Sequence, residues 1–179
     1  SSDRFADWIV RLTRSAIARV RRRGGTVSVD PKVRREMLDL PGLRAALDSV
    51  LAQADLFMPS GPELALFSRA GTEADAVRDL LGRGIKAVVL KRGAEGASCF
   101  DAGGEVSVPP HPVEEVDPTG AGDCFGATFV CCWLRGMSTR QALALANASG
   151  ALAVLRQGPM EGASTLAEIT AFAEGGPQA

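Results

Sequence analysis

The chain has 179 residues, which suits one ordinary domain. Its 46% hydrophobic and 23% charged content supports a buried core in a soluble body and argues against disorder. A net charge of -1 offers no handle to nucleic acid or an anionic membrane, no apolar run approaches the ~20 residues that cross a bilayer, and the opening SSDRFADWIV lacks the blocks of a secretory signal.

Residues 5–23 predict an amphipathic helix, with Phe5, Trp8, Ile9, Leu12, Ala16 and Val20 at three- and four-residue spacing. Arg21, Arg22 and Arg23 close it before two glycines, where cations suit the helix end; they read as a solvated end more readily than as a phosphate patch. TVSVD, residues 26–30, predicts a strand. Residues 41–54 predict a helix, DLFMP at 55–59 a short strand and residues 73–81 another helix. IKAVVL at 85–90 is the clearest buried strand, and residues 98–100 and 105–108 flank the small residues of a hairpin turn. Helices follow over 121–135, 139–155 and 165–173, and the GGPQA tail is expected to fray. Strands alternating with helices imply an α/β domain with a mainly parallel sheet, whose ligands sit beyond the carboxyl ends of the strands. Cys99, Cys124, Cys131 and Cys132 form no C-x-x-C pair and read as buried, reduced thiols in a cytosolic protein.

The most informative stretch is Asp117-Pro118-Thr119-Gly120-Ala121-Gly122-Asp123, after a short extended segment and before an apolar helix. Its glycines let another group approach the backbone, and the free N–H groups of a helix start make a ready phosphate site. A carboxylate there repels phosphate, so Asp123 makes sense as a base that takes a proton from a hydroxyl attacking a γ-phosphate. The competing explanation is a capped helix start whose glycines only make the turn.

The run resembles D-[ST]-T-G-A-G-D, the signature of ribokinase-like, or PfkB, carbohydrate kinases, with Pro118 at the variable second position. The resemblance implies a three-layer α/β/α fold with a mainly parallel sheet, Asp123 as catalytic base and an anion hole from the amides of Gly120, Ala121 and Gly122. Three further stretches fall in the family's order. Lys91-Arg92-Gly93-Ala94-Glu95-Gly96 stands where the family has T-x-G-x-x-G along the ATP phosphates; Gly93 and Gly96 match and Lys91 replaces threonine. Pro59, Ser60 and Glu63 resemble P-N-x-x-E, whose glutamate helps to hold Mg²⁺, often through water; read alone, Ser60 and Glu63 are a helix capping box. Asn147 falls where relatives line the adenine pocket. The resemblance also assigns Val154, Gln157 and Gly158 to a monovalent-cation site completed by Asp117 and Thr119, with K⁺ as the candidate ion. Asp30-Pro31-Lys32-Val33-Arg34 resembles the D-x-N-x-R stretch of 2-keto-3-deoxygluconate kinases and fructokinase-like relatives, with Lys32 in place of asparagine. Arg34 is then a candidate for binding a substrate carboxylate.

The likeness covers the family's C-terminal half, so residues 1–179 are expected to be its nucleotide-binding and catalytic part, truncated on the N-terminal side. The G-G motif and sugar lid are not visible, and the strands TVSVD and DLFMP are expected to lack neighbours and leave an exposed edge. The expected activity is cytoplasmic, ATP- and Mg²⁺-dependent phosphorylation of a sugar or sugar acid such as 2-keto-3-deoxygluconate, fructose or a related ketose. ATP and the sugar are the expected partners, without nucleic acid or membrane, and a homodimer is the assembly to test. The rival readings are a nucleoside kinase of the same family and a non-catalytic nucleotide-binding or interaction module.

Overall fold

The computed structural model describes residues 2–175. The five strands follow chain order in one sheet, β1-β2-β3-β4-β5. The chain divides into two compact units, residues 1–89 with 100–103, and residues 90–99 with 104–179.

The first unit opens with α1 (Ser2–Arg22), then β1 (Ser28–Val29), a 3-10 turn (Arg35–Asp39), α2 (Leu43–Leu51) and β2 (Leu56–Phe57). α3 (Gly61–Phe67), α4 (Glu73–Gly82) and the start of β3 (Ala87–Lys91) complete it. β2 pairs in parallel with β1, Ser28 opposite Leu56, and with β3, Leu56 opposite Ala87. A strand covered on both faces needs apolar side chains at every position; Leu56, Phe57, Val88 and Val89 are wholly buried. Phe67 of α3 meets Phe57 edge to face, ring centres 5.0 Å apart, which fixes α3 on the sheet.

Asp55 bolts the strand starts together. Its carboxylate accepts from Val27 N at 2.8 Å and pairs with Arg21 at 2.7 Å and Lys86 at 3.1 Å. Burial by itself raises this carboxyl, but the bonds from Val27, Arg21 and Lys86 outweigh it and hold it below the usual carboxylate range.

Several expectations change here. The strands at 26–30 and 55–59 shrink to two residues each, and β2 has neighbours on both sides, so of these two only β1 lies at an end of the strand order. Arg21 is not merely solvated: besides Asp55 it reaches Gln53 O at 2.6 Å. On α1 the described part of the expected apolar face lies outward, with Trp8 51% and Leu12 53% exposed, while Ile17 is the buried residue. The helix is turned so that its other line, through Thr13 and Ile17, meets the unit.

The second unit holds the end of β3, most of the hairpin β4 (Ala97–Asp101) and β5 (Gly104–Val108), then α5 (Ala121–Leu134), α6 (Thr139–Val154) and α7 (Leu166–Ala173). The two-residue turn Ala102–Gly103 makes β4 and β5 antiparallel. α5 and α6 pack closely because α6 presents small residues, with Ala142, Leu143, Ala146 and Ser149 buried, where α5 buries Phe125, Phe129 and Cys132. Ile169 and Phe172 seat α7 on Ala148. Glutamine or glutamate three residues on reciprocates the caps Ser138 and Thr165. All four cysteines are free, but only Cys99 and Cys132 are buried; Cys131 is exposed and Cys124 partly so, because α5 faces its neighbours along one line only. No helix among the described residues is long and apolar enough to cross a membrane.

Candidate active site

The residues of the D-P-T-G-A-G-D run build the start of α5. Gly120 caps the helix in the left-handed region at φ 85°, and a Cβ there would lie 2.3 Å from Pro159 O. Both the backbone conformation and the contact therefore require glycine. Gly120 O accepts from Asp123 N at 3.0 Å and Cys124 N at 2.9 Å, while Ala121 N makes a longer 3.3 Å bond to Pro118 O. The aligned peptide dipoles of α5 place positive potential at this end.

Ala121 and Gly122 line a groove of about 440 Å³ within the second unit. Lys91, Gly93, Gly96 and Asn147 line it too, so three separately read stretches converge on one cavity. Asp123 follows Gly122 on the first turn and is exposed. Burial and the charge of Asp123 push the Cys124 thiol up, so this cysteine stays protonated beside the site.

The loop after β3 has a structural job as well. Gly93–Glu95 is a single 3-10 turn, and Arg92 N bonds to Gly96 O at 3.0 Å. Gly96 has φ 92°, and a Cβ there would lie 2.2 Å from Val108 O, so β5 itself demands this glycine. Gly93, also at positive φ, has open space around it. Asn147 donates through Nδ2 to Pro109 O at 2.6 Å, which fixes its amide at the groove wall.

Asp117 is held by its own loop: Oδ1 accepts from Thr119 N at 2.9 Å and Oδ2 from Gly158 N at 2.9 Å. The Thr119 side chain, then the Thr119 and Gly158 amides, hold its carboxyl below the usual range. Asp117, Thr119 and Gly158 are thus brought together, with Gln157 next along the chain. Val154 O, the remaining member of the expected cation set, is engaged by backbone amides. It accepts from Val116 N at 2.8 Å and Asp117 N at 3.1 Å, which ties the end of α6 to the segment before the glycine run.

Glu63 and Arg34 belong to the first unit. Glu63 Oε2 accepts from Ser60 N at 2.8 Å and Ser60 Oγ at 2.7 Å, and Oε1 accepts from Val33 N at 2.7 Å. The capping box is formed, and Ser60 serves where asparagine is usual because both are good helix caps. Oε1 keeps a lone pair, which fits contact with Mg²⁺ through water better than a full ligand set. Among the described residues no cluster of three His, Cys, Asp or Glu could hold a metal ion. Arg34 is exposed at the start of the 3-10 turn. Two residues earlier Lys32 has φ 46°, a left-handed position that asparagine tolerates better than lysine.

The sequence reading missed Pro110, His111, Pro112 and Val113, which line the groove from the segment before the anion hole. The double proline break after β5 was their only signal. A larger, open hollow of about 840 Å³ in the first unit, beside α3 and α4, makes a weaker site. Two of its arginines are engaged: Arg44 donates to Leu66 O at 2.7 Å, and Arg83 to Phe67 O at 3.1 Å and to Asp79.

Comparison with known proteins finds relatives over most of the chain. An ATP-dependent ribose-1-phosphate kinase of Halopiger xanaduensis is 33% identical over 166 residues, 89% of this chain and 50% of that protein. A protein of E. coli described as a ribokinase II, crystallised with ATP and Mg²⁺, is 48% identical with a TM-score of 0.87, over 90% of this chain and 52% of that one. A fructokinase of Vibrio cholerae, a double mutant crystallised with fructose, ADP and potassium, is 28% identical with a TM-score of 0.79, over 89% and 54%. The chain spans about half the length of the curated relatives it matches. Residues 13–166 match the pattern of pfkB family carbohydrate kinases, a ribokinase-like α/β fold, and the chain belongs to that family.

Proposed function

We propose that residues 1–179 are the nucleotide-binding and catalytic part of an ATP-dependent kinase acting on a hydroxyl of a sugar or sugar acid. The observation that carries this reading is the α5 start: Ala121 and Gly122 line the groove, and Asp123 stands exposed on the same turn. Asp123 accepts the proton of the acceptor hydroxyl as its oxygen bonds to the γ-phosphorus and the bond to the β–γ bridging oxygen breaks. The amides of Gly120, Ala121 and Gly122 face the charge that builds on the transferring group, and Lys91 adds a positive charge at the groove. Glu63 orients water around Mg²⁺, which when bound neutralises phosphate charge. Asp117, Thr119, Val154, Gln157 and Gly158 would hold a monovalent cation, and the potassium bound by the V. cholerae fructokinase supports K⁺ as that ion. Asn147 belongs to the base end of the groove.

A ketose or 2-keto acid is the finer reading of the acceptor, from Arg34 in its D-P-x-x-R setting, since a guanidinium suits a carboxylate. ADP release against a panel of ketoses, keto acids and nucleosides tests it, using a form of the protein that binds sugar. Turnover confined to nucleosides would overturn the sugar reading. Binding of Mg·ATP without turnover of any acceptor would favour a non-catalytic module.

A further inference from the structure

The groove is longer than the anion hole needs. The segment from Pro109 to Asp117 runs beside α6 and is tied to it at both ends: Asn147 bonds to Pro109 O, and Val154 O accepts from Val116 N and Asp117 N. Asn147 and Val154 are seven residues apart, or about 10 Å along the helix axis. The Val154 end leads through Asp117 into Gly120–Gly122, where phosphate belongs. The Asn147 end lies one to two helical turns away, on the scale over which a triphosphate carries its base away from the terminal phosphate.

His111 stands at that far end, two residues past Pro109. It is the chain's single histidine, and no phosphoryl-transfer step above uses it. It lines the groove and is half-buried. Phe172 of α7 braces its ring, centres 5.1 Å apart and tilted by 48°. Pro110 and Pro112 flank it and fix the backbone on either side, so the ring is held in place before any ligand arrives. Burial keeps the imidazole below its ordinary pKa, so near pH 7 it is a neutral aromatic plate. A flat, neutral, braced ring at the end of a phosphate groove suits one ligand chemistry, the π-face of a nucleobase.

We propose that His111 is the stacking platform for the base of the bound nucleotide, the residue by which the groove distinguishes a nucleoside triphosphate from a bare polyphosphate. This rests on the reading of the groove as a nucleotide site. It assigns the far end to the base through ring contact, with Phe172 as the backing that positions the ring.

Calorimetry on the 179-residue chain with Mg·ATP and Mg·tripolyphosphate tests it. His111→Ala should weaken Mg·ATP about 5- to 30-fold and leave tripolyphosphate within about twofold, the loss expected from deleting one base-stacking ring. His111→Phe restores a ring and should recover most of the ATP affinity, whereas a merely structural role would not follow aromaticity. Melting temperatures of the variants exclude unfolding as the cause, and His111→Phe alone decides if the alanine variant does not fold. Equal ATP affinity in wild type, His111→Ala and His111→Phe would overturn the platform and leave the nucleotide reading standing. An equal loss for ATP and tripolyphosphate would overturn it too, because the ring would then only shape the groove. Absence of Mg·ATP binding by the wild-type chain would overturn the nucleotide reading itself, and the platform with it.

Discussion

The two units use conspicuous residues in opposite ways. In the first, charged side chains carry structural bonds: Arg21 is tied to Asp55, Glu63 to Ser60 and Val33, Arg44 and Arg83 to the carbonyls that end α3. In the second, the conspicuous residues are glycines with no side chain to spend. Gly96 and Gly120 each sit where a Cβ would strike a carbonyl, at 2.2 and 2.3 Å, and each borders the groove or opens the helix that lines it. A charged residue in a motif can be claimed by the nearest backbone N–H. A glycine held at positive φ against another strand or loop has no such alternative employment, so its match to a family pattern says more about geometry.

That contrast is broken most severely at Asp123, the charged residue of the second unit to which we assign chemistry. Asp123→Asn keeps size and helix start but removes the base. In a form of the protein that turns over sugar, the rate should fall about 10²–10⁴-fold, or ~3–5 kcal/mol of barrier. Mg·ATP affinity of the chain should hold or improve, because a negative charge leaves the phosphate end. Near-normal turnover would remove Asp123 as the base.

Asp55 comes next and tests the first unit. Asp55→Ala strands Arg21, Lys86 and a buried amide, and should lower unfolding free energy by about 2–4 kcal/mol in denaturant titration. The folded carboxyl lies below its unfolded value, so its stabilisation is present above ~pH 4 and is lost as pH falls through the folded pKa. Wild type should lose stability below ~pH 4 more steeply than Asp55→Asn. Parallel acid titrations would count against Asp55 as the bolt.

Gly120→Ala sharpens the glycine side of the comparison. Left-handed backbone and the contact with Pro159 O together predict a loss of about 1–3 kcal/mol, with weaker Mg·ATP binding as α5 shifts. Unchanged melting and binding would mean that the loop yields. The smallest effect is expected at Lys32, where a charged residue occupies left-handed backbone. Lys32→Asn should raise stability by about 0.5–1 kcal/mol, because asparagine tolerates φ 46° at lower cost. A loss instead would show that the lysine makes a contact worth more than its backbone strain.

Much of the second unit was legible in the sequence because its signals are local. α5, α6 and α7 appear within one residue of the periodic runs that predict them, and the Gly-Ala-Gly run fixes where α5 starts. The predicted strand at 85–90 appears, shifted, as β3, since continuous apolar side chains suit a strand covered on both faces. Other features depend on residues far apart in the chain. Periodicity marks an apolar face on α1 but does not say which line of the helix meets the unit, and Trp8 and Leu12 face outward while Ile17 is buried. The arginine run at 21–23 gives no sign that Arg21 finds Asp55 across 34 residues.

The sequence by itself determined the α/β class, the family and the start of α5, because glycine, helix caps and apolar spacing act over a few residues through backbone sterics and hydrogen bonds. Tertiary structure alone decided which polar atoms remained available. Two amides approach Val154 O, two partners bind Glu63, and Phe172 braces His111 across 61 residues. Lone pairs and ring faces are claimed by whatever folding brings within about 3 to 5 Å, and that distance is a property of packing, not of position along the chain.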